Sequence, residues 1–271
     1  MKQRTPAQKR LLVLAFALLA ALLALILWQG LRRGDAVRVG VPRSAQAYGA
    51  AMLMQAPSAQ YHCALGSTPE VLRQALEAGT LDAALLPYEL AHSLPGCTVR
   101  AVLEDASLLV LSREPGILRL EDLSGRTLTL PEALAGSAAE GMLKTLLREE
   151  DIPCALAYGE DGGLVACDID RAAHLLQAGS DLRVCFSVSK AWRKALGSAP
   201  PAGLCLVVRQ DYLQRAGSDY AAFERALENA VRYGGDKRKK TVAMAVAAGL
   251  AADEQIADVL YDYVAFRFEK K

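Results

Sequence analysis

A chain of 271 residues, 52% of them hydrophobic and 23% charged, can build one large or two modest cores and is not a disordered protein. The formal net charge is +1, but six basic and no acidic residues fall within residues 1–33, so +1 minus 6 leaves the remainder at about −5. That balance argues against nucleic acid as a partner. The basic run Lys237-Arg238-Lys239-Lys240 has no interleaved aromatic residue and reads as a solvated helix face rather than a phosphate or lipid patch.

At the start, Lys2, Arg4, Lys9 and Arg10 precede an uncharged run over 11–28, which as a helix spans roughly 27 Å and suffices to cross a bilayer. Trp28-Gln29-Gly30-Leu31-Arg32-Arg33 follows it, with no small-residue cut site, and no cysteine stands where a lipid anchor would need one. The expectation over 1–33 is a membrane anchor or a signal segment, the uncleaved anchor spanning at 11–28 being preferred to a removed signal, with the rest extracytoplasmic in the periplasm or at the cell surface.

Cys63, Cys97, Cys154, Cys167, Cys185 and Cys205 show no C-x-x-C spacing, and most lie in apolar runs, as small core residues do. Export would permit disulfides, whose pairing the sequence does not give. His62, His92 and His174 form no paired ligand spacing, so neither a metal nor another cofactor is expected.

Along the chain, residues 37–41 alternate and stop at Pro42, as a first strand does, and a loop over 42–46 leads to a helix through Met54. Residues 61–65 read as a second strand. The next segment is the densest in signals. Thr68 can cap a helix, Pro69 suits its first position, and Glu70 completes a Ser67-x-x-Glu70 capping box. Val71, Leu72, Ala75 and Leu76 make an apolar stripe, Gly79 stops the helix, and 81–86 reads as a strand buried on both faces. Further strands are expected at 98–103 and 108–111.

A second set begins at 120–126, where a turn introduces a strand at 127–130. Ser137-x-x-Glu140 opens a helix whose apolar face holds Met142, Leu143, Leu146 and Leu147. Strands at 155–158 and 164–167, a helix at 171–178 ended by Gly179, and a strand at 182–188 follow. A late strand at 204–208 precedes a helical tail over 220–233, 237–248 and 254–266. Alternating strands and helices predict parallel sheets. Two such sets and a returning tail predict two lobes joined by two crossing segments, with hinges near 109–113 and 204–209.

This order of motifs resembles the substrate-binding proteins of ABC importers, in the nitrate, sulfonate and thiamine-precursor branch. The likeness runs from Val37 to the carboxyl end. It is carried by Ser67-Thr68-Pro69-Glu70 with Glu77-Ala78-Gly79-Thr80-Leu81-Asp82-Ala83-Ala84-Leu85-Leu86-Pro87, by 120–127, and by Gly203-Leu204-Cys205-Leu206-Val207-Val208-Arg209-Gln210-Asp211-Tyr212-Leu213. It implies an α/β, two-lobed periplasmic-binding-protein-like (type II) fold with mostly parallel sheets, here preceded by the transmembrane helix. Lobe 1 would take 36–112 and 205–271, and lobe 2, shortened, 113–204.

The resemblance places ligand loops at Arg43, Ser44, Ala45 and Gln46, at Gly66, Ser67 and Thr68, at Pro87, Tyr88 and Glu89, and at Gly136-Ser137. Helix amino termini and strand ends there offer amides and hydroxyls to a polar or anionic group. Ser67, Thr68 and Ser137 would cap helices with or without a ligand, Tyr88 would either stack on one or pack, and Arg43 would either neutralise an anion or meet water.

Two departures stand out. Where similar proteins have a helix of the second lobe, this chain has only Gly159-Glu160-Asp161-Gly162-Gly163, so a tight turn is expected, with the flanking strands antiparallel if they pair directly. Where those proteins run into Pro-Glu-Pro, it has Cys167-Asp168-Ile169-Asp170. Asp168 and Asp170 either face the cleft, favouring a cationic or hydroxyl-rich ligand, or start the following helix.

The function implied is the solute-binding component of an ABC transporter, closing on a small polar or anionic solute and engaging a permease and its ATPase. A membrane-tethered sensor or non-transport binding protein on the same scaffold stays open. An enzyme of this fold would need a nucleophile, base or metal constellation, and the sequence presents none.

Overall fold

The computed structural model describes residues 36–56, 58–105, 108–160 and 162–271. The expected anchor over 1–33 lies outside the described residues, among which no helix is long and apolar enough to cross a membrane.

Two sheets organise the chain. The first contains β1 (Val37–Pro42), β2 (Tyr61–Gly66), β3 (Ala83–Pro87), β4 (Cys97–Asp105), β10 (Ala202–Arg209) and β11 (Glu269–Lys270), in the order β11-β4-β10-β3-β1-β2. The second contains β5 (Leu108–Ser112), β6 (Thr127–Leu130), β7 (Ala155–Tyr158), β8 (Leu164–Asp168) and β9 (Arg183–Ser187), in the order β7-β6-β8-β5-β9. The sheets are mixed, which corrects the expectation of mostly parallel ones. β1 runs parallel to β2 and β3, and β6 to β7 and β8. β5 is antiparallel to both its neighbours, and so is β10. These are the strands by which the chain enters the second sheet and re-enters the first, so direction reverses where the chain crosses.

Alternation along these strands divides the core. In β10, Leu204, Leu206 and Val208 face one apolar cluster, while Cys205 and Val207 face another built on Leu72, Leu76 and Leu86. In β5, Leu109 and Leu111 join the first cluster, while Leu108 and Val110 turn to a third around Leu128, Leu143 and Leu146. The first cluster therefore takes one face from each sheet, and Val37–Lys271 forms one compact unit. All six cysteines are free, and Cys167 and Cys205 are buried.

The helices are α1 (Ala51–Gln55), α2 (Pro69–Glu77), α3 (Tyr88–His92), α4 (Ala138–Glu149), α5 (Ile169–Gln177), α6 (Val188–Leu196), α7 (Gln210–Arg215), α8 (Gly217–Asp236), α9 (Arg238–Ala247) and α10 (Glu254–Tyr261). The helix expected through Met54 opens as a 3-10 helix, Ala45–Ala50, before α1. The strand expected from 81 starts at Ala83, because the Asp82 carboxylate accepts from Arg38 N at 3.1 Å and Arg38 Nε at 2.8 Å. The last helix stops at Tyr261, short of 266, and the chain ends on the sheet edge as β11.

Strands β7 and β8 do not pair with each other. Both lie parallel to β6, on opposite sides of it, so the antiparallel arrangement does not arise. A parallel crossover ordinarily needs a dozen or more residues. Here stagger shortens it: Tyr158 is level with Leu130, while Val165 is level with Thr129, so little return travel is required. The connector hugs the strand it crosses, and a Cβ on Gly162 would fall 2.8 Å from Thr129 Oγ1.

Candidate functional site

Turns from both sheets converge on a cavity of about 360 Å³. β1 delivers Arg43, Ser44 and Gln46, β2 delivers Ser67, and β3 delivers Pro87 and Glu89. The second sheet adds Ser137 ahead of α4, and Asp168 and Asp170 at the end of β8 and the start of α5. Of the residues placed in ligand loops by the sequence, Arg43, Ser44, Gln46, Ser67, Pro87, Glu89 and Ser137 thus line one cavity, with Asp168 beside them, whereas Ala45, Gly66, Thr68, Tyr88 and Gly136 do not. Pro42, Pro69, Leu134, Ala139, Asp170, Gly203 and Leu204 complete the lining.

Local chemistry fixes each turn. Arg43 N donates to Gly66 O at 3.2 Å, tying the first loop to the second. Ser44, 6% exposed, caps the 3-10 helix and accepts from Gln46 N at 3.1 Å. Thr68 caps α2, accepting from Val71 N at 3.3 Å, with Pro69 in the first turn. The Ser67-x-x-Glu70 box does not form, because Thr68 as cap puts Val71, not Glu70, at the third helical position. The Tyr88 ring packs on His92 at 4.1 Å between centroids, which is the packing alternative rather than a ligand platform.

The second sheet's turn is the more tightly tied. Ser137 accepts from Glu140 N at 3.2 Å, while Glu140 accepts from Gly136 N and Lys144 Nζ, each at 2.5 Å, and from the Tyr158 hydroxyl. The box foreseen at Ser137 therefore closes on Gly136. Lys144, Tyr158 and the Gly136 amide pull the Glu140 carboxyl down to about 2 from its ordinary 4.5. A depressed carboxyl gives stability that is full above the unfolded value and lost as pH falls through the folded one. Glu140→Gln should accordingly melt lower than the parent at neutral pH, and the gap should close between about pH 4.5 and 2. Melting followed by circular dichroism across that range checks it; a gap independent of pH would refute it.

Asp168 caps α5, its Oδ1 accepting from Asp170 N at 3.0 Å and Arg171 N at 2.8 Å, so it starts the helix and also lines the cavity. Capping starts α5 at Ile169, two residues before the expected 171. Asp170, which the sequence offers with Asp168 either to the cleft or to the helix start, lines the cavity and ties the two sheets. Its Oδ1 accepts from Ala45 N at 2.9 Å, joining the second sheet's loop to the first sheet's. Burial pushes its carboxyl up and the Asp168 charge adds to that, against the Ser44 and Ala45 hydrogen bonds. Charges on the lining are one guanidinium, Arg43, and three carboxylates, Glu89, Asp168 and Asp170. Among the described residues no cluster of His, Cys, Asp and Glu could hold a metal ion. The arrangement can hold a small polar molecule by hydrogen bonds and charge.

No protein-family model matches the sequence, and no curated protein matches it. Solved structures do. An ABC transporter protein from Parabacteroides distasonis superposes with a TM-score of 0.65 at 13% identity, over 88% of this chain and 87% of that one. The periplasmic aliphatic sulphonate binding protein SsuA from Escherichia coli gives 0.61 at 14%, over 88% and 86%. A ligand binding component of an ABC-type import system from Staphylococcus aureus gives 0.61 at 14%, over 85% and 84%. At such identities the likeness is one of fold: the chain is an α/β protein of two mixed sheets, and its fold is that of the periplasmic binding proteins.

Proposed function

We propose that the chain is the extracytoplasmic solute-binding component of an ABC importer, held at the membrane through 11–28 and taking a small polar solute into the cavity for delivery to a permease and its ATPase. The observation that carries this reading is convergence: Arg43, Ser67 and Glu89 from one sheet meet Ser137, Asp168 and Asp170 from the other around one cavity. Loops beyond strand ends are where open α/β sheets bind ligands. A neighbour named as a periplasmic aliphatic sulphonate binding protein and one named as the ligand binding component of an ABC-type import system share this fold, which supports the reading. In this reading the lobes follow the sheets, so β5 goes to the second lobe rather than the first, and the crossings precede β5 and β10 instead of lying at 109–113 and 204–209. The work is binding and hinge closure, with no bond made or broken.

One observation favours the second reading, a tethered sensor or non-transport binding protein: a single apolar cluster takes a face from each sheet, which restrains hinge motion. A thermal-shift screen of the full chain in mild detergent, against anions, sulfonates, amines and pyrimidines, tests binding. A ligand at a hundred times its Kd adds about 2.7 kcal/mol, hence a rise of roughly 5–10 °C. Spin labels at Val71 and Glu132, one on each sheet's side, then separate the readings. The importer reading expects their distance distribution to shorten with ligand, whereas a fixed cleft leaves it unchanged.

A further inference from the structure

We propose that α6 and the carboxyl-terminal tail form a clasp between the two sheets, a third joint beside the two crossings that keeps the cleft from opening until its ionic ties are released. The clasp regulates the site of the solute-binding reading above, and as regulation it rests on that reading.

One side of the tail is fixed to the first sheet. Arg267 N donates to Leu103 O at 3.0 Å, Lys271 N donates to Arg100 O at 2.9 Å, and β11 lies antiparallel on β4. Just upstream, the Tyr261 hydroxyl donates to Gly234 O at 2.7 Å, and Arg238 reaches Asp258 and Asp262, each at 2.6 Å. Leu260 and Val264 are buried in the apolar cluster beneath.

Toward α6 the contacts are of another kind. Lys190 Nζ donates to Asp262 O and lies 5.4 Å from the centre of the Tyr263 ring. Arg193 pairs with Asp105, whose other oxygen receives Arg267 Nη1 at 2.6 Å. Positions three apart share a helix face, so α6 turns both cations to the same partner. Between α6 and the tail lies a cavity of about 250 Å³, with Ser187 and Ser189 on one side and Gly235 and Phe266 on the other. Charged ties around a hollow give up little apolar burial when they part, unlike the cluster beneath. The ties are also partly wet: Lys190 is exposed, and the Arg193 and Arg267 side chains are 42% and 22% exposed. Such pairs are individually weak and are screened by salt.

Position gives the clasp its effect. Asp105 is the last residue of β4 before the chain crosses to β5, and α6 ends at Leu196, from which the chain crosses to β10. Each crossing therefore starts at a clasped element, and a hinge rotation that turns one sheet against the other must turn about those crossings. At the cleft the Asp170 carboxylate already bridges to Ala45 N, so the motion that release allows is opening.

The test reads the cleft with spin labels at Val71 and Glu132, on the full chain in mild detergent and with no solute added. The parent should give one narrow distance distribution. Lys190→Met combined with Arg193→Met removes both cations, keeps their apolar stems and leaves Asp105 paired with Arg267. The share of longer distances should then rise about 10-fold, the order that two partly exposed ties support. Raising salt from about 0.1 M to about 1 M should move the parent the same way and leave the double variant where it is. Arg38→Met is the control: it cuts the two bonds of 2.8 Å to Asp82 within the first sheet, so it should lower the melting temperature without lengthening the distance. Lys190→Met alone, at an exposed side chain, keeps the test decisive should the double variant fail to fold, and should raise the longer share about 3-fold. Distances identical in the parent and the Lys190 variant would overturn the clasp, and so would an equal lengthening in Arg38→Met, which would mark general loosening. Because no solute is added, silence of every solute class in the thermal-shift screen would count against the binding reading and leave this result to stand or fall by itself.

Discussion

Asp105→Ala is expected to lower the unfolding free energy by about 3 kcal/mol, and the melting temperature by roughly 6–12 °C for a unit of this size. The Asp105 side chain is 1% exposed, and the residue ends β4, just before the chain leaves the first sheet. Its Oδ1 receives Arg267 Nη1 at 2.6 Å, from the tail that leads into β11, and its Oδ2 pairs with Arg193 of α6, which follows the second sheet's edge strand. Three separate segments are thus tied at one carboxylate. Removing it leaves two guanidinium groups facing each other; burial first, and then the proximity of Arg267, already depress the Arg193 pKa. The arginine side chains are 42% and 22% exposed, so water takes up part of the loss and the estimate belongs at the low end for a broken buried pair. Asp105→Asn, keeping shape and one acceptor, should lose about half as much. Urea melts of parent and both variants decide it; a midpoint unchanged in Asp105→Ala would show that the ties add nothing net.

Sequence reasoning reached the elements wherever the signal was local. The strands at Thr127–Leu130 and Ala155–Tyr158 fall where alternation and flanking turns put them. Capping hydroxyls before apolar stripes located the turns that line the cavity, since a capped helix start must follow a strand end in such a fold. Where two adjacent residues both suited the cap, Ser67 and Thr68, the proline settles the matter: Pro69 at the first helical position makes Thr68 the cap and turns Ser67 to the cavity. Direction was not legible. Nothing local to Leu204 or Leu108 tells whether a strand re-entering a sheet runs with or against its neighbours; that depends on the end from which the crossing chain arrives. The bond between Asp170 and Ala45 joins residues 125 apart and carries no periodic signature, so the residue that most shapes the cavity's chemistry was visible only as one of two nearby acids.

Ile169→Ala should cost about 3 kcal/mol, within the range for truncating a fully buried aliphatic side chain, and should also weaken solute binding. Ile169 is 0% exposed in the cluster that takes Val37 and Val39 from one sheet and Leu109 and Leu111 from the other. It also stands between Asp168 and Asp170, so its side chain anchors the turn whose two carboxylates line the cavity. A cavity left here loosens the start of α5 at the point where Asp170 reaches Ala45, and a carboxylate displaced by even an ångström loses its register with a ligand in the cavity. Leu143→Ala separates the two effects. That residue is equally buried, but in the cluster on the second sheet's other face, away from this turn. It should destabilise to a similar extent and leave affinity for any solute that stabilises the parent chain unchanged. Matching losses of stability with a loss of affinity in Ile169→Ala alone would tie the core between the sheets to the cavity. Equal affinities in both variants would mean that α5 holds its carboxylates by capping alone, through Asp168 and the amides of Asp170 and Arg171.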